Sequence, residues 1–176
     1  IHELFHSMCL DFSGIEYKKL KTHIKDIFPV KSDFQISESY AEFWANIVHS
    51  SLVSYNLLDN KNDTESFLLF AEFCIQFEII FSTFQCIKIL HHMGLRYHNL
   101  FLTDAISISF RKVLYRENTN ILAYYIIKLI LLYNHDEFLK WCSLTNSNIL
   151  AFDKSPVSLK QLGKFIGDHY NKREFI

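Results

Sequence analysis

The chain has 176 residues, of which 49% are hydrophobic and 16% aromatic, so it can bury a sizeable core and is not a disordered protein. Its formal net charge is -1 at pH 7 and its basic residues are scattered, which gives no electrostatic reason to expect a nucleic-acid or anionic-membrane partner. Four glycines and two prolines are few for this length, which favours long helices over many short strands.

The sequence of the first half of the chain predicts helices separated by short polar breaks. In chain order, the sequence predicts helices over residues 1–10, 15–27, 38–58 and about 64–93. Gly14, Pro29 and Gly94 supply stops for three of them. Either Ser37 or Ser39 can cap the third helix, and residues 60–64 form a turn that caps the fourth.

The second half is also predicted to be helical, with one ambiguous stretch. Residues 106–110 alternate as in a strand, although a helix over 100–115 fits equally well. Asn118 or Thr119 is predicted to cap an apolar helix that ends at Tyr133. Two further helices are predicted over residues 136–143 and from Pro156 to about 170.

These elements predict an all-α fold in which residues 1–176 form a single helical domain. The most apolar run, residues 121–133, is too short to cross a bilayer and contains Lys128. We therefore expect it to be a core helix and expect no membrane partner.

The first six residues, IHELFH, carry the pattern with the clearest chemistry. On a helix His2 and His6 stand at positions i and i+4, so they share one face and can bind one metal ion together. Glu3 can then act as a general base on a metal-bound water. Roughly 0.03 matches to HExxH are expected in a random chain of this composition, so the motif is suggestive but not sufficient.

A catalytic zinc site commonly needs a third protein ligand, and the predicted third helix offers one. Glu38 follows His6 by enough residues for a short helix and a loop to bring the chain back antiparallel. Glu42, one turn further on, could accept the free ring N–H of a ligand histidine and fix its tautomer. A zinc site here requires the imidazole and carboxylate atoms to converge within about 5 Å.

The pair of motifs HELFH and ESYAE resembles the gluzincin class of zinc metallopeptidases, which includes thermolysin-like enzymes and the protease domain of anthrax lethal factor. The resemblance implies that His2, His6 and Glu38 bind zinc. It also implies that Glu3 activates the water and that Glu42 supports a ligand histidine. Such domains normally carry a small sheet before the HExxH helix, whose edge strand binds the substrate by backbone pairing.

The chain as a whole, with ESYAEFWA, FEIIFSTFQ and ENTNILAYYIIK, is also similar to uncharacterised metallopeptidases predicted in giant DNA viruses. Because the chain begins at Ile1, we expect it to be the C-terminal part of a larger metallopeptidase domain whose upstream sheet is missing. This resemblance implies an intracellular, cytoplasmic or virion protein. Its expected partners are a peptide or protein substrate, the upstream part of the same protein and other virion proteins.

Further residues are candidates for support of the site. Glu78 and Gln85 belong to a polar stripe on the predicted fourth helix, which either faces the ligands and supports them or is a solvated strip. Tyr124 is our first candidate for stabilising the oxyanion of the scissile carbonyl, and His98 is the second. Four other histidines have no partner at ligand spacing and are interpreted as structural or surface residues: His91, His92, His135 and His169.

The function predicted from these residues is that of a zinc-dependent metallopeptidase, a hydrolase that cleaves peptide bonds through a Glu3-activated, zinc-bound water. The alternative is a non-catalytic structural or interaction protein, such as a virion component, with a structural or vestigial metal site. A closed fourth protein ligand is typical of a structural site, whereas an open fourth position is typical of a catalytic one.

Overall fold

A computed structural model describes residues 1–117 and 119–172 and confirms the all-α fold, with 69% of the chain helical and no strand in those ranges. We number the α-helices in chain order as α1 to α8. Their bounds are α1 His2–Ser7, α2 Lys18–Ile27, α3 Ser37–Leu57, α4 Thr64–His92, α5 Ala105–Leu114, α6 Lys128–Tyr133, α7 His135–Thr145 and α8 Pro156–His169. A 3-10 turn at Tyr97–Leu100 precedes α5, and a π-helical segment at Leu122–Ile127 runs directly into α6.

The ambiguous stretch proves to be helical, because α5 covers the residues whose alternation resembled a strand. Asp104 begins α5 by accepting a hydrogen bond from the backbone N–H of Ser107. At the end of α4, Gly94 has a φ of 74°, the left-handed conformation that only glycine adopts without steric cost. The predicted stop at this position is therefore confirmed.

Two predicted caps are wrong. Helix α3 has Ile36 at its N-cap, and the Ser39 hydroxyl donates to the Ile36 carbonyl instead of accepting a backbone N–H. At the start of the π-helical segment, the backbone N–H of Leu122 donates to the side chain of Glu117 and not to that of Thr119. The other predicted cap, Asn118, lies outside the described residues.

Helix α3 lies between α1 and α4, and its buried face forms the aromatic centre of the core. Tyr40, Phe43 and Trp44 are at most 3% exposed. The Tyr40 ring makes edge contacts with Phe138 of α7 and with Phe152. The Tyr40 hydroxyl donates to the backbone carbonyl of Leu150, as a buried phenol must. This face fixes α3 in rotation and so decides which of its residues point towards α1.

Helix α1 has only six residues, so tertiary contacts must hold it. Phe5 is its one buried residue and stacks on Trp44 of α3, with ring centroids 6.5 Å apart. The chain after α1 is fastened by the Phe152 N–H, which donates to the Leu10 carbonyl at 2.7 Å. These contacts place the histidine face of α1 against α3.

Helix α4 differs from α3, the other long helix, because most of the apolar surface of α4 is exposed. It is long and apolar enough to cross a membrane by length and composition, and only 22% of its most apolar 18-residue window is buried. It is distinct from residues 121–133, the apolar run that the sequence predicts to be a core helix. One such helix is weak evidence of insertion, and α4 packs along one side against α3 and α6.

The central position of α6 leads to a stability prediction. Leu131 is fully buried, so Leu131→Ala should lower the free energy of unfolding by about 2–5 kcal/mol through lost burial and a residual cavity. Leu144→Ala is the matched control, because that side chain is 78% exposed and its truncation should change stability by less than about 0.5 kcal/mol. Urea unfolding followed by circular dichroism measures both, and equal losses would contradict the described core.

Candidate metal centre

The histidines of α1 and the glutamates of α3 face one another across the contact between the two helices. His2 and His6 flank the buried Phe5 on one side of α1. Glu38 and Glu42 lie one turn apart on the side of α3 that meets α1. The i, i+4 spacing of both pairs therefore brings four metal-binding or metal-supporting groups to one place.

The three predicted ligand atoms converge more closely than the 5 Å that a zinc site requires. The Nε2 atoms of His2 and His6 lie 3.0 Å apart. Oε2 of Glu38 lies 3.2 Å from the first of these atoms and 3.4 Å from the second. Zinc–nitrogen bonds of about 2.0–2.1 Å put the corners of a tetrahedral site about 3.3 Å apart. The three atoms thus approximate one triangular face of such a site.

The outer nitrogen of each histidine faces a carboxylate. Nδ1 of His2 lies 2.9 Å from Oε2 of Glu42, and Nδ1 of His6 lies 2.7 Å from Oδ2 of Asp11. An ionised carboxylate only accepts hydrogen bonds, so both Nδ1 atoms carry the proton. Each Nε2 then presents its lone pair, which is the tautomer that a metal ligand needs.

This arrangement aims three lone-pair-bearing atoms, all hydrogen-bond acceptors, at one point, which is unfavourable unless a positive charge lies between them. Burial opposes the charged form of His6, but the hydrogen bond and charge of Asp11, with the charge of Glu38, outweigh it and raise the pKa of His6. A proton or a metal ion can therefore occupy the centre. Metal coordination satisfies all three atoms at once, whereas one proton satisfies a single pair.

Tyr124 also reaches this point. Its hydroxyl donates to Oε2 of Glu38 at 2.5 Å, and its ring centroid lies 5.9 Å from that of His2. Burial first, and then the hydrogen bond and charge of Glu38, raise the pKa of Tyr124. The residue lies in the π-helical segment, whose wider turn changes which side chains face α3, and such segments are frequent at functional sites.

The other predicted site residues are not joined to the ligands in the same way. Glu3 is exposed on α1, and its charge acts on Tyr124. Within the described residues, no hydrogen bond joins the side chains of Glu78, Gln85 or His98 to His2, His6 or Glu38. Glu78 and Gln85 are half-buried on α4, which packs behind α3, so both alternatives for the polar stripe, support of the ligands and a solvated strip, stay predictions.

The charges of Glu78 and Glu42 both act on a buried cation, Lys128. Lys128 is 8% exposed, and its ammonium donates to the Ser82 hydroxyl at 2.8 Å. Burial lowers the pKa of Lys128, and the nearby charges of Glu42 and Glu78 act in the opposite direction. Helix α4 thus holds, through Ser82, a buried cation on which the charge of Glu42 also acts.

Sequence reasoning missed Asp11, which it interpreted only as part of the break after α1. Asp11 is 1% exposed, accepts from Nδ1 of His6, and accepts at its other oxygen from the Ser13 hydroxyl at 2.9 Å. An acidic residue five positions after the second histidine was the available signal. Such a residue can reach the histidine only because the chain turns back after α1, which the left-handed conformation of Cys9 (φ 54°) allows.

A second group of metal-binding residue types lies between α4 and α7. Nε2 of His135 is 3.3 Å from Oε2 of Glu72 and 3.6 Å from Oδ1 of Asp136. Both carboxylates are largely exposed, as in an ordinary surface ion pair. Sequence spacing does not reveal this pair, because Glu72 is 63 residues away from His135 in sequence and comes close only in the fold.

Zinc binding should stabilise the fold through Glu38. At a free zinc concentration 100-fold above the dissociation constant, the free energy of unfolding of the wild-type chain should rise by about 2.7 kcal/mol. Glu38→Gln should lose most of this increase. Thermal unfolding with and without zinc measures it, with Glu72→Gln as the control for the second group. A gain that is lost in Glu72→Gln and kept in Glu38→Gln would contradict this assignment.

Removing the charge of Asp11 should weaken the site without removing a ligand. In Asp11→Asn the amide can no longer hold the Nδ1 proton of His6 as a carboxylate does, and zinc affinity should fall about 10- to 100-fold. Isothermal titration calorimetry measures the affinity. The exposed Asp33→Asn is the control, and an unchanged affinity in Asp11→Asn would show that Asp11 does not position His6.

Comparison of the chain with family models, with curated protein sequences and with solved structures finds no match. The resemblance to gluzincins and to predicted metallopeptidases of giant viruses therefore stays a prediction. The observation that bears on function is the convergence of His2, His6 and Glu38 around one point.

Proposed function

We propose that this chain is a zinc-dependent peptidase in which His2, His6 and Glu38 hold the metal. The observation that carries the proposal is the mutual distance of 3.0–3.4 Å between their three ligand atoms. Two imidazole nitrogens and one carboxylate oxygen are a ligand set of catalytic zinc sites, which leave a fourth position for water or substrate.

The accessibility of the site supports a catalytic rather than a closed structural role. The side chains of His2, His6 and Glu38 are 19%, 22% and 12% exposed. Solvent therefore reaches the ligands while the fold still fixes them. No fourth histidine, cysteine or acidic ligand joins the group within residues 1–117 and 119–172.

A bound zinc ion would lower the pKa of a water and polarise the carbonyl of a peptide bond. Glu3 is the proposed general base, since it follows His2 directly and its exposed carboxylate is free to reach into the solvent-facing side of the site. It would take a proton from the attacking water and pass it to the departing amine, which needs one to leave.

Tyr124 is the proposed donor to the oxyanion that develops on the scissile carbonyl. Its hydroxyl already lies within hydrogen-bonding distance of the ligand atom Oε2 of Glu38. A small rotation of the side chain would exchange this acceptor for the substrate oxygen. The gain would be largest in the transition state, where the negative charge on that oxygen is greatest.

The alternative function, a non-catalytic structural or interaction protein, makes a different prediction for Glu3. A structural site needs the three ligands and their supporting carboxylates but has no use for an exposed glutamate beside them. Loss of Glu3 therefore separates the two functions, provided that zinc binding is measured alongside activity.

Glu3→Gln should retain zinc and lose peptidase activity. Removal of a general base costs typically 100- to 10,000-fold in rate, so cleavage of fluorescently labelled casein should fall by that factor. Glu16→Gln, another exposed glutamate outside the site, is the matched control and should cleave at the wild-type rate.

Zinc content is measured on the same samples by atomic absorption. Equal cleavage by wild type and Glu3→Gln would remove Glu3 as the base. The assay uses the full-length protein, and a full-length wild type that binds one zinc and cleaves nothing would contradict the peptidase and support the structural alternative.

A further inference from the structure

Helix α4 presents a continuous apolar surface on the side opposite to its packing against α3 and α6. Its inner side is buried through small and aliphatic residues, among them Ala71, Ile75, Ile79 and Cys86. On the opposite side lie seven large apolar side chains that are 52–69% exposed. We call them the outer face of α4: Leu69, Phe73, Phe77, Ile80, Phe81, Phe84 and Ile87.

The outer face is larger than an ordinary exposed patch. A phenylalanine offers of the order of 200 Å², so the four exposed phenylalanines alone leave roughly 500 Å² of apolar area in water, and the three aliphatic residues add to it. The largest apolar patch of a typical monomer is about 300–600 Å². A stable protein interface needs about 800 Å² from each partner, which the outer face approaches without any contribution from other helices.

The spacing along the outer face indicates a helical partner. Five of the seven residues follow one another at intervals of four, three, four and three: Phe73, Phe77, Ile80, Phe84 and Ile87. This 4-3 alternation is the seam of a coiled coil, in which each side chain inserts between residues of a facing helix. The matching partner is an apolar helix of at least two heptads.

We propose that the occupant of this face is the outer face of α4 in a second copy of the chain, so that the protein is a two-fold symmetric dimer. A two-fold interface requires a self-complementary patch, and a seam centred on Ile80 with phenylalanines on both sides provides one. The dimer covers both outer faces at once and leaves no open surface for further copies. It involves none of the residues assigned to the metal centre and does not depend on the proposed function.

The charges of α4 disfavour a lipid surface as the occupant. Helices that lie on membranes carry many lysines and arginines on their polar side, to pair with anionic headgroups. Along α4 the acidic residues Glu65, Glu72 and Glu78 outnumber the single lysine, Lys88. The opposite side of the helix is packed on protein, so lipid could reach only the outer face.

The test is the molar mass in solution, measured by size-exclusion chromatography with light scattering on the whole chain. The wild type should have twice the 20.9 kDa chain mass at micromolar concentration. Phe77→Glu and Phe84→Glu should each weaken the dimer at least 100-fold and shift the mass to that of one chain. Leu144→Glu places the same charge at a residue of α7 that is 78% exposed, and it should leave the dimer intact.

Circular dichroism checks that each variant keeps its helical spectrum. Ile80→Cys, in a Cys9→Ser background, supplies a second readout, because a residue on the two-fold axis meets its own copy and should form a linked dimer on oxidation. A wild type with the mass of one chain at 100 µM, or a dimer that persists in both charged variants, would overturn the proposal. So would single chains that float with phosphatidylcholine–phosphatidylserine vesicles, since the occupant would then be lipid.

Discussion

Two imidazole nitrogens and one carboxylate oxygen point at a common centre, at 3.0–3.4 Å from one another, in a part of the molecule that water only partly reaches. Such an arrangement stores electrostatic repulsion unless a positive charge occupies the centre. The surrounding carboxylates make the repulsion harder to relieve, because Glu42 and Asp11 hold the ring protons on the outer nitrogens. Hence the fold maintains the electronic state in which the histidines bind metal.

The architecture of the core explains why the centre is held. Helix α1 is too short to be stable alone, and Phe5 fastens it to the aromatic face of α3 that is formed around Tyr40 and Trp44. The same face orients Glu38 and Glu42 towards α1. The π-helical segment then adds Tyr124 from a third direction. Packing and chemistry are coupled here, since a shift of α3 by one residue would remove both carboxylates from the site.

Much of the fold and the centre of the site could be predicted from local patterns. The i, i+4 spacing of His2 and His6 and the periodic apolar face of α3 depend on neighbours in sequence, which a single chain displays directly. The roles of Asp11 and Lys128 could not be predicted, because they depend on a chain reversal at Cys9 and on the packing of α4 behind α3. The support of the ligands by Glu78 and Gln85 stays a prediction.

The sequence patterns also did not indicate that one side of α4 is exposed. Helix α4 is apolar around most of its circumference, which is ordinarily typical of a fully buried helix, yet its outer face lies in water. A second copy of the chain is the proposed partner that covers this face. The metal centre and this face are independent features of one fold.

The proposal that one zinc ion is bound by two imidazole nitrogens and a carboxylate oxygen can be checked by zinc K-edge X-ray absorption. On the chain loaded with one equivalent of zinc, we expect a first shell of nitrogen and oxygen at about 2.0–2.2 Å, with the outer-shell scattering of two imidazoles. In His6→Ala one imidazole contribution should disappear. A shell with sulfur at about 2.3 Å, or a spectrum that His6→Ala leaves unchanged, would contradict it.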